Sequence, residues 1–168
     1  KTVKRQWNTL FDTHWNVCNT NMATKNKLII GRRDRVDLPE LDLTDIDAKI
    51  DTGAYSCVIH CLNMKIIQRD GRPWVRFTLY DDEEKKHEAP IILYKSIKSS
   101  FGEVEHRCMI QTSLRLFEND YPIQLALSDR STMKYPMLIG RRLLTDHFIV
   151  DVSKHNLSYK KKLKSKKK

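Results

Sequence analysis

The sequence predicts an all-β protein built as a closed or nearly closed barrel, and three observations support this. Short runs of apolar and β-branched residues recur about every eight to twelve residues from position 28 onwards. Clusters of turn residues separate these runs, as at Asp70-Gly71-Arg72. In this region only one stretch, 141–147, has the pattern of a short helix. At 168 residues the chain is long enough for one domain with a substantial core.

The chain divides into three parts. Residues 1–27 repeat large apolar side chains at helical spacing, which predicts an amphipathic N-terminal helix or arm, laid over the barrel or packed on a partner subunit. Residues 28–159 form the predicted barrel domain, and residues 160–168 a disordered lysine-rich tail. The charged run at 81–86 is expected to be a solvated loop. The candidate strands lie at 28–30, 46–50, 55–59, 74–80, 91–94, 104–110, 113–117, 123–127, 148–152 and 157–159.

The positive charge of the chain is concentrated at its C-terminal end. The formal net charge is +10, but seven lysines lie among residues 160–168, so the preceding residues carry only +3. A terminal block of like charge is typical of a solvated tail, and less often of an arm that contacts phosphate or an acidic surface. We therefore do not expect nucleic acid as a partner. No apolar run has the length of a membrane span.

The four cysteines, Cys18, Cys57, Cys61 and Cys108, are not arranged as a metal framework. Their spacing contains no Cys-x-x-Cys pair, so buried free thiols are the first expectation. A metal cluster that combines three of them with His60 and His106 is the weaker alternative. The chain has neither a His-Glu-x-x-His motif nor a Gly-x-x-x-x-Gly-Lys phosphate loop. We expect no metal and no cofactor.

The residues that point to chemistry follow a predicted strand. Apolar and charged residues alternate over 46–50, and the strand runs straight into Asp51-Thr52-Gly53-Ala54. Gly53 permits a tight turn, Thr52 offers a short hydroxyl, and Asp51 places one carboxylate at the end of the strand. By itself such a triplet is more typical of an Asx turn between two strands than of a catalytic loop.

A second motif lies near the C-terminal end of the barrel region, where an apolar run ends in Gly140 and is followed by Arg141. The combination of Asp-Thr-Gly-Ala with a later apolar-apolar-Gly-Arg resembles the retropepsin-like aspartic peptidases. The resemblance is closest to a bacterial branch labelled ATP-dependent zinc proteases and associated with glutamate ligases. Tyr55 and Cys57 depart from the pattern of that branch, on the substrate side of the loop. The resemblance extends over 28–33, 38–41, 49–54, His60, 74–79, 99–102, 128–131 and 137–144.

The resemblance implies a closed pepsin-like barrel with its catalytic carboxylate at Asp51. Aspartic peptidases use two carboxylates that share one proton, and the chain has no second Asp-Thr-Gly or Asp-Ser-Gly. A homodimer with one Asp51 from each chain is therefore implied. Thr52 would brace the two loops across the dimer, and Gly53 and Ala54 would keep the crossing narrow.

The resemblance also implies roles for residues outside this loop. Leu138, Ile139 and Gly140 would support the catalytic loop from behind, because a side chain on Gly140 would collide with the turn. Retropepsins close a hairpin over the substrate. Phe101 and Gly102, between two strand-like segments, are the candidate tip of such a flap, and an ordinary glycine hairpin explains them equally well.

Two functions fit these residues. The first is an aspartic-type endopeptidase that acts as a homodimer on an extended peptide or protein substrate. The second is a catalytically silent barrel that binds a peptide, an acidic tail or a metabolite. Because relatives of this branch lie near glutamate-ligase genes, a glutamate-rich substrate is the first candidate. The sequence leaves the compartment open between the bacterial periplasm, after removal of a signal peptide, and the cytoplasm.

Overall fold

The computed structural model describes residues 27–79, 82–98 and 104–167. The predicted N-terminal helix or arm, 1–27, lies outside these ranges except for Lys27. Within the described part of the chain, no helix combines the length and the apolar character needed to cross a membrane. The helices are α1 (Arg141–His147) and α2 (Leu157–Ser165), and the strands are β1 (Leu28–Ile30), β2 (Arg33–Leu38), β3 (Leu43–Asp51), β4 (Cys57–Arg69), β5 (Arg72–Leu79), β6 (Asp82–Pro90), β7 (Leu93–Lys98), β8 (Val104–Leu116), β9 (Asn119–Ser128), β10 (Met137–Gly140) and β11 (Phe148–Val150).

Strand pairing closes the sheet into a barrel. The order is β10, β3, β2, β8, β9 and β4, and β4 pairs again with β10. β5 and β6 extend the sheet outwards from β4, while β7 and β8 form a hairpin. β1 and β11 form a separate parallel pair. The prediction of an all-β protein with a closed barrel is therefore confirmed, and α1 covers the residues predicted to be helical.

The barrel core follows from the alternation of apolar residues along the strands. On β3, Ile46, Ala48 and Ile50 point inwards and are buried, while the intervening charged residues lie on the other face. Ile59 on β4 and Ile139 on β10 are also fully buried in the same cluster. The carboxyl end of β3, where Asp51 lies, is thus anchored on its inner face by a continuous apolar core.

The turn predicted at Asp70 and Gly71 joins β4 to β5. Both residues have positive φ, of 51° and 71°. Two consecutive residues in this conformation match the right-handed twist of the flanking strands, which explains why a short Asp-Gly turn is used here.

The C-terminal segment differs from its prediction. Residues 157–165 form the helix α2, where the sequence suggests a short strand followed by a disordered lysine-rich tail. The carboxylate of Asp34 on β2 accepts hydrogen bonds from the backbone N–H groups of Ser158 (2.9 Å) and Tyr159 (3.0 Å) at the start of the helix. Lys162 contacts Asp37 and Asp45 at 2.7 Å each. These contacts order a segment that composition alone describes as solvated.

Three strands, β2, β6 and β10, are not among the predicted ones, and the sequence identified β10 only as the apolar run before Gly140. Residues 82–86 of the charged run predicted as a loop belong to β6, an exposed strand beyond β5, where charged side chains face solvent and protect an edge from further pairing. β2 combines Arg33, Asp34 and Arg35 with apolar residues, so its pattern is masked by charge. Its carboxylate at Asp34 is nevertheless buried, because α2 supplies the hydrogen-bond donors.

Candidate active site

Asp51 lies at the last position of β3, where the strand leaves the barrel core. Its side chain is 28% exposed, so the carboxylate is held by the fold and still reaches solvent. Strand alternation places Asp51 on the face of β3 opposite to Ile50, whose side chain is buried. The backbone N–H of Ile50 donates to the carbonyl of Arg32 at 3.1 Å, which ties this strand end to the start of β2.

The turn after Asp51 fixes one of its two carboxylate oxygens. Oδ1 accepts hydrogen bonds from the backbone N–H groups of Gly53 (3.1 Å) and Ala54 (3.3 Å). Oδ2 has no hydrogen-bond donor in the described part of the chain, and the Nζ atom of Lys49 lies 4.0 Å from it. One oxygen therefore orients the group while the other is not engaged by a hydrogen-bond donor of the described residues, which suits proton transfer to or from a bound molecule.

Strand β10 packs directly against this turn. It runs parallel to β3 with Gly140 opposite Asp51. A Cβ atom on Gly140 would lie 2.5 Å from the carbonyl oxygen of Ser56 and 2.7 Å from that of Tyr55. Ile139 is fully buried and Leu138 half-buried. The close approach expected of Gly140 is thus present.

The first residues of α1 hold the exit of the turn. The backbone N–H of Arg141 donates to the carbonyl of Ala54 at 2.8 Å, and that of Arg142 to the carbonyl of Tyr55 at 3.0 Å. The Arg141 guanidinium also donates to the carbonyl of Gly53 at 3.1 Å and lies 5.6 Å from the centre of the Tyr55 ring. The side chain of Arg142 donates to Oε1 of Gln124. Sequence reasoning did not identify these contacts, since they depend on the position of α1.

This geometry agrees with a family relationship that extends over most of the chain. A family model described as "RimB-like: Retropepsin-like aspartic endopeptidase RimB" matches residues 29–161. The chain belongs to the RimB-like family. The match includes both the Asp51 turn and the Gly140 motif, so the retropepsin-like relationship inferred from those motifs is confirmed.

Relatives of this RimB-like chain include longer proteins. It is 35% identical over 133 residues to a protein of Shewanella halifaxensis named "Probable alpha-L-glutamate ligase". The alignment covers 76% of this chain and 29% of that protein. It is 36% identical over 130 residues to a protein of the same name from Desulfotalea psychrophila, covering 74% of this chain and 28% of that protein. The chain therefore spans less than a third of the length of these relatives.

A solved structure has the same fold. The crystal structure of protein Lpg0085 from Legionella pneumophila, described as having unknown function, superposes with a TM-score of 0.66 at 26% sequence identity. The alignment covers 78% of this RimB-like chain and 98% of the Legionella chain.

The RimB-like barrel contains a second turn that repeats the geometry of the first. β11 ends before Asp151, whose Oδ1 accepts the backbone N–H of Ser153 at 3.0 Å, and the N–H of Lys154 donates to the Asp151 carbonyl at 3.1 Å. Gly31 takes the place of Gly140: a Cβ atom there would lie 2.4 Å from the carbonyl oxygen of Lys154. The N–H of Arg32 donates to that same carbonyl at 2.9 Å.

The two turns differ in how their carboxylates are used. Both oxygens of Asp151 are engaged, since Oδ1 also accepts the hydroxyl of Ser153 at 2.6 Å and Oδ2 contacts Nζ of Lys154 at 2.7 Å. The Lys154 ammonium and the Ser153 donors lower the pKa of Asp151 to about 2. Asp51 keeps Oδ2 free of such bonds among the described residues. The sequence signal for this repeat is the similarity of Ile29-Ile30-Gly31-Arg32 to Leu138-Ile139-Gly140-Arg141.

The described cysteines are buried, and His60 is hydrogen-bonded to a different segment, at Arg130. Cys57, Cys61 and Cys108 are buried free thiols, as expected. Burial raises the pKa of Cys57 to about 11 and that of Cys61 to about 12. His60 accepts the backbone N–H of Arg130 at its Nδ1 atom, at 2.8 Å.

The predicted flap tip, Phe101 and Gly102, lies outside the described residues, as do the side chain of His106 and Cys18. The strands on either side of the tip are described: β7 and β8 pair antiparallel up to Lys98 and Val104.

Proposed function

We propose that this chain is an aspartic-type endopeptidase that acts as a homodimer, with Asp51 of each chain forming the catalytic dyad. The observation that carries the proposal is the Asp51 turn, in which Oδ1 is fixed by two backbone N–H groups and Oδ2 has no hydrogen-bond donor among the described residues. In such a dyad one carboxylate takes a proton from a bound water, which attacks the peptide carbonyl. The protonated partner donates its proton to the carbonyl oxygen, and the amine leaves with a proton when the tetrahedral intermediate collapses.

The need for a second chain follows from the uniqueness of this turn. The sequence contains one Asp-Thr-Gly. The Asp151 turn does not replace a second one, because its carboxylate is bound by Lys154 and Ser153. A two-fold axis beside Asp51 would bring two identical turns together as an isologous contact. Thr52, which is exposed at the tip of the turn, would then face its copy.

An exposed apolar surface supports the dimer. Leu28 and Ile29 on β1, Ile149 on β11 and Val152 just beyond it are all large apolar side chains that are at least 40% exposed. β1 and β11 form a parallel pair, and no third strand joins it among the described residues. Parallel pairs are normally covered on both faces, and open edges favour pairing with another chain. We infer that this surface is covered by the second subunit.

A glutamate-rich peptide is the substrate class that we propose. The relatives named probable alpha-L-glutamate ligases contain a region similar to this chain within a longer protein. An α-L-glutamate ligase joins glutamate residues, so a glutamate-rich peptide is the substrate that a peptidase region beside it would meet. The formal net charge of +10 would attract an acidic peptide to the chain.

Replacing Asp51 by Asn tests the proposal, because Asn keeps the shape of the side chain and removes its acid–base chemistry. We expect Asp51→Asn to lose turnover of glutamate-rich peptides in a cleavage assay and to sediment as the same dimer as the unchanged chain. A chain that is monomeric at every concentration, or one that binds the peptides without cleaving them in either form, would favour the catalytically silent barrel instead.

A further inference from the structure

The outer face of the barrel beside Asp51 carries a continuous row of paired residues. Residues that pair across neighbouring strands lie on the same face of a sheet. Starting at β2 and ending at β7, the register gives the row Arg33, Lys49, Leu138, Val58, Ala126, Met109 and Leu93. This row lies on the face opposite to the barrel core, because its neighbours Ile50 and Ile139 belong to the core.

The row changes in character along its length. Val58, Ala126 and Met109 form a small apolar cluster of their own, against which Leu138 and Leu93 pack. Next to Leu138 the row becomes basic, with Lys49 followed by Arg33. Asp51 lies two residues beyond Lys49 on the same strand and thus on the same face. An apolar strip therefore meets a lysine directly beside the proposed catalytic carboxylate.

Lys49 is available for a ligand. Its side chain is 53% exposed, and its Nζ lies 4.0 Å from Oδ2 of Asp51, at the limit of an ion pair and beyond hydrogen-bond distance. Of the other carboxylates on β3, Asp47 contacts Arg35 at 3.4 Å and Asp45 contacts Lys162 at 2.7 Å. Within the described ranges, Asp51 is the only carboxylate that lies within 4.0 Å of Lys49.

We propose that Lys49 is a specificity-determining residue that binds an acidic side chain of the substrate immediately beside the scissile bond. This inference rests on the proposed peptidase function and adds a residue and a position to it. The methylene groups of a glutamate would pack on Leu138 and its carboxylate would reach the Lys49 ammonium. Because an isologous dimer presents Lys49 once from each chain, an acidic side chain is preferred on both sides of the cleaved bond.

A simpler explanation of Lys49 is an exposed ion pair between alternate residues of one strand. Such pairs contribute little and select nothing. The two explanations differ in one measurable quantity, the ratio of kcat/KM for a peptide with Glu-Glu at the cleaved bond to that for the same peptide with Gln-Gln. Gln has nearly the shape of Glu without its charge, so this ratio reports the recognition of charge and cancels any general loss of activity.

The experiment measures this ratio for the unchanged chain, Lys49→Met, Lys49→Glu and a control, Lys86→Met. Lys86 is an exposed lysine on β6, so its replacement removes the same charge from a different surface. We expect Lys49→Met to lower the ratio about tenfold to a hundredfold, as for the loss of a charged hydrogen-bond partner. Lys86→Met should leave it within about twofold, since an exposed distant charge is screened. Lys49→Glu should cleave a peptide with Lys-Lys at that bond better than the unchanged chain does.

The outcomes separate the two proposals. If the unchanged chain cleaves both peptides and Lys49→Met keeps the same ratio, the peptidase stands and the role of Lys49 is wrong. An equal fall for Lys49→Met and Lys86→Met would also overturn it, because it would assign the preference to net charge. If the unchanged chain cleaves none of the peptides, the peptidase function itself fails, and the inference fails with it.

Discussion

At the scale of single residues, the Asp51 and Asp151 turns each depend on a glycine, because a backbone carbonyl group occupies the space that a Cβ atom would need. Gly140 lies against the carbonyl oxygens of Tyr55 and Ser56, and Gly31 lies in the same way against that of Lys154. The sequence identified Gly140 because it closes a recognisable motif. It did not identify Asp151, whose turn contains serine in place of the glycine that follows Asp51 by two residues.

Replacing Gly140 by Ala should therefore destabilise the fold through steric overlap with backbone, which cannot move away as a flexible side chain can. We expect the free energy of unfolding, measured by urea denaturation, to fall by about 3 kcal/mol or more. Gly31→Ala should behave alike. Gly71→Ala is the control: its Cβ would meet nothing within 4 Å, and only its φ of 71° would cost about 1–2 kcal/mol. Equal losses for Gly140→Ala and Gly71→Ala would contradict the close-packing argument.

The buried thiols give a second prediction at this scale. Burial raises the pKa of Cys57 to about 11 and of Cys61 to about 12, so both are protonated at neutral pH. Since the thiolate is the reactive form, we expect neither to react with iodoacetamide in the folded protein at pH 8, and both to react after unfolding in urea. Peptide mapping by mass spectrometry measures this for each cysteine. Rapid modification of Cys61 in the folded chain would contradict the burial of its thiol.

At the scale of secondary-structure elements, strands are predictable where apolar and polar residues alternate regularly. They are missed where buried charged residues are paired with a segment that is distant in sequence. β3 belongs to the first group. In β2, the alternation is hidden by Asp34 and Asp37, whose buried carboxylates accept hydrogen bonds from residues of α2. α2 contains four lysines among its nine residues, so the helix becomes recognisable only when the carboxylates that its residues contact are known.

Lys162 is the lysine of α2 that contacts two carboxylates of the barrel, those of Asp37 and Asp45. Burial lowers its pKa, but the hydrogen bonds to Asp37 and Asp45 outweigh this and raise it above the ordinary value of 10.5. We expect Lys162→Met to reduce the free energy of unfolding by about 1–3 kcal/mol, less than for a fully buried pair because both partners retain some exposure. Lys164→Met, on the exposed side of the same helix, is the matched control and should change it by less than about 0.5 kcal/mol.

The same ion pair predicts a pH dependence with a definite sign. A lysine whose pKa is raised in the folded state stabilises fully below the unfolded value of about 10.5 and loses this contribution as pH rises through the folded value. The stability advantage of the unchanged chain over Lys162→Met should therefore be constant from pH 7 to 9 and decline above about pH 10.5. Urea denaturation of both chains across this range measures it. A difference that persists unchanged to pH 12 would assign the effect to packing rather than to charge.

At the scale of the whole molecule, the barrel carries a single Asp-Thr-Gly turn, at Asp51, which is one half of the catalytic site that we propose. The fold class and the family were predictable because two short motifs and a series of strands agree with one architecture. The internal repeat of the Asp51 turn at Asp151 leaves only a weak signal in the sequence, the similarity of 29–32 to 138–141, because the Asp151 turn lacks an Asp-Thr-Gly and is placed by the pairing of β1 with β11. In our proposal a second chain supplies the second carboxylate and covers the exposed apolar residues of β1 and β11.

The measurement that tests this most directly is subunit mixing. The unchanged chain and Asp51→Asn are equilibrated together in varied proportions at constant total concentration, and the cleavage of a glutamate-rich peptide is followed. If the dyad takes one Asp51 from each chain, mixed dimers are inactive and activity falls with the square of the unchanged fraction, to about one quarter in an equal mixture. A linear decline, to about one half, would show that each chain catalyses alone and would contradict the shared carboxylate.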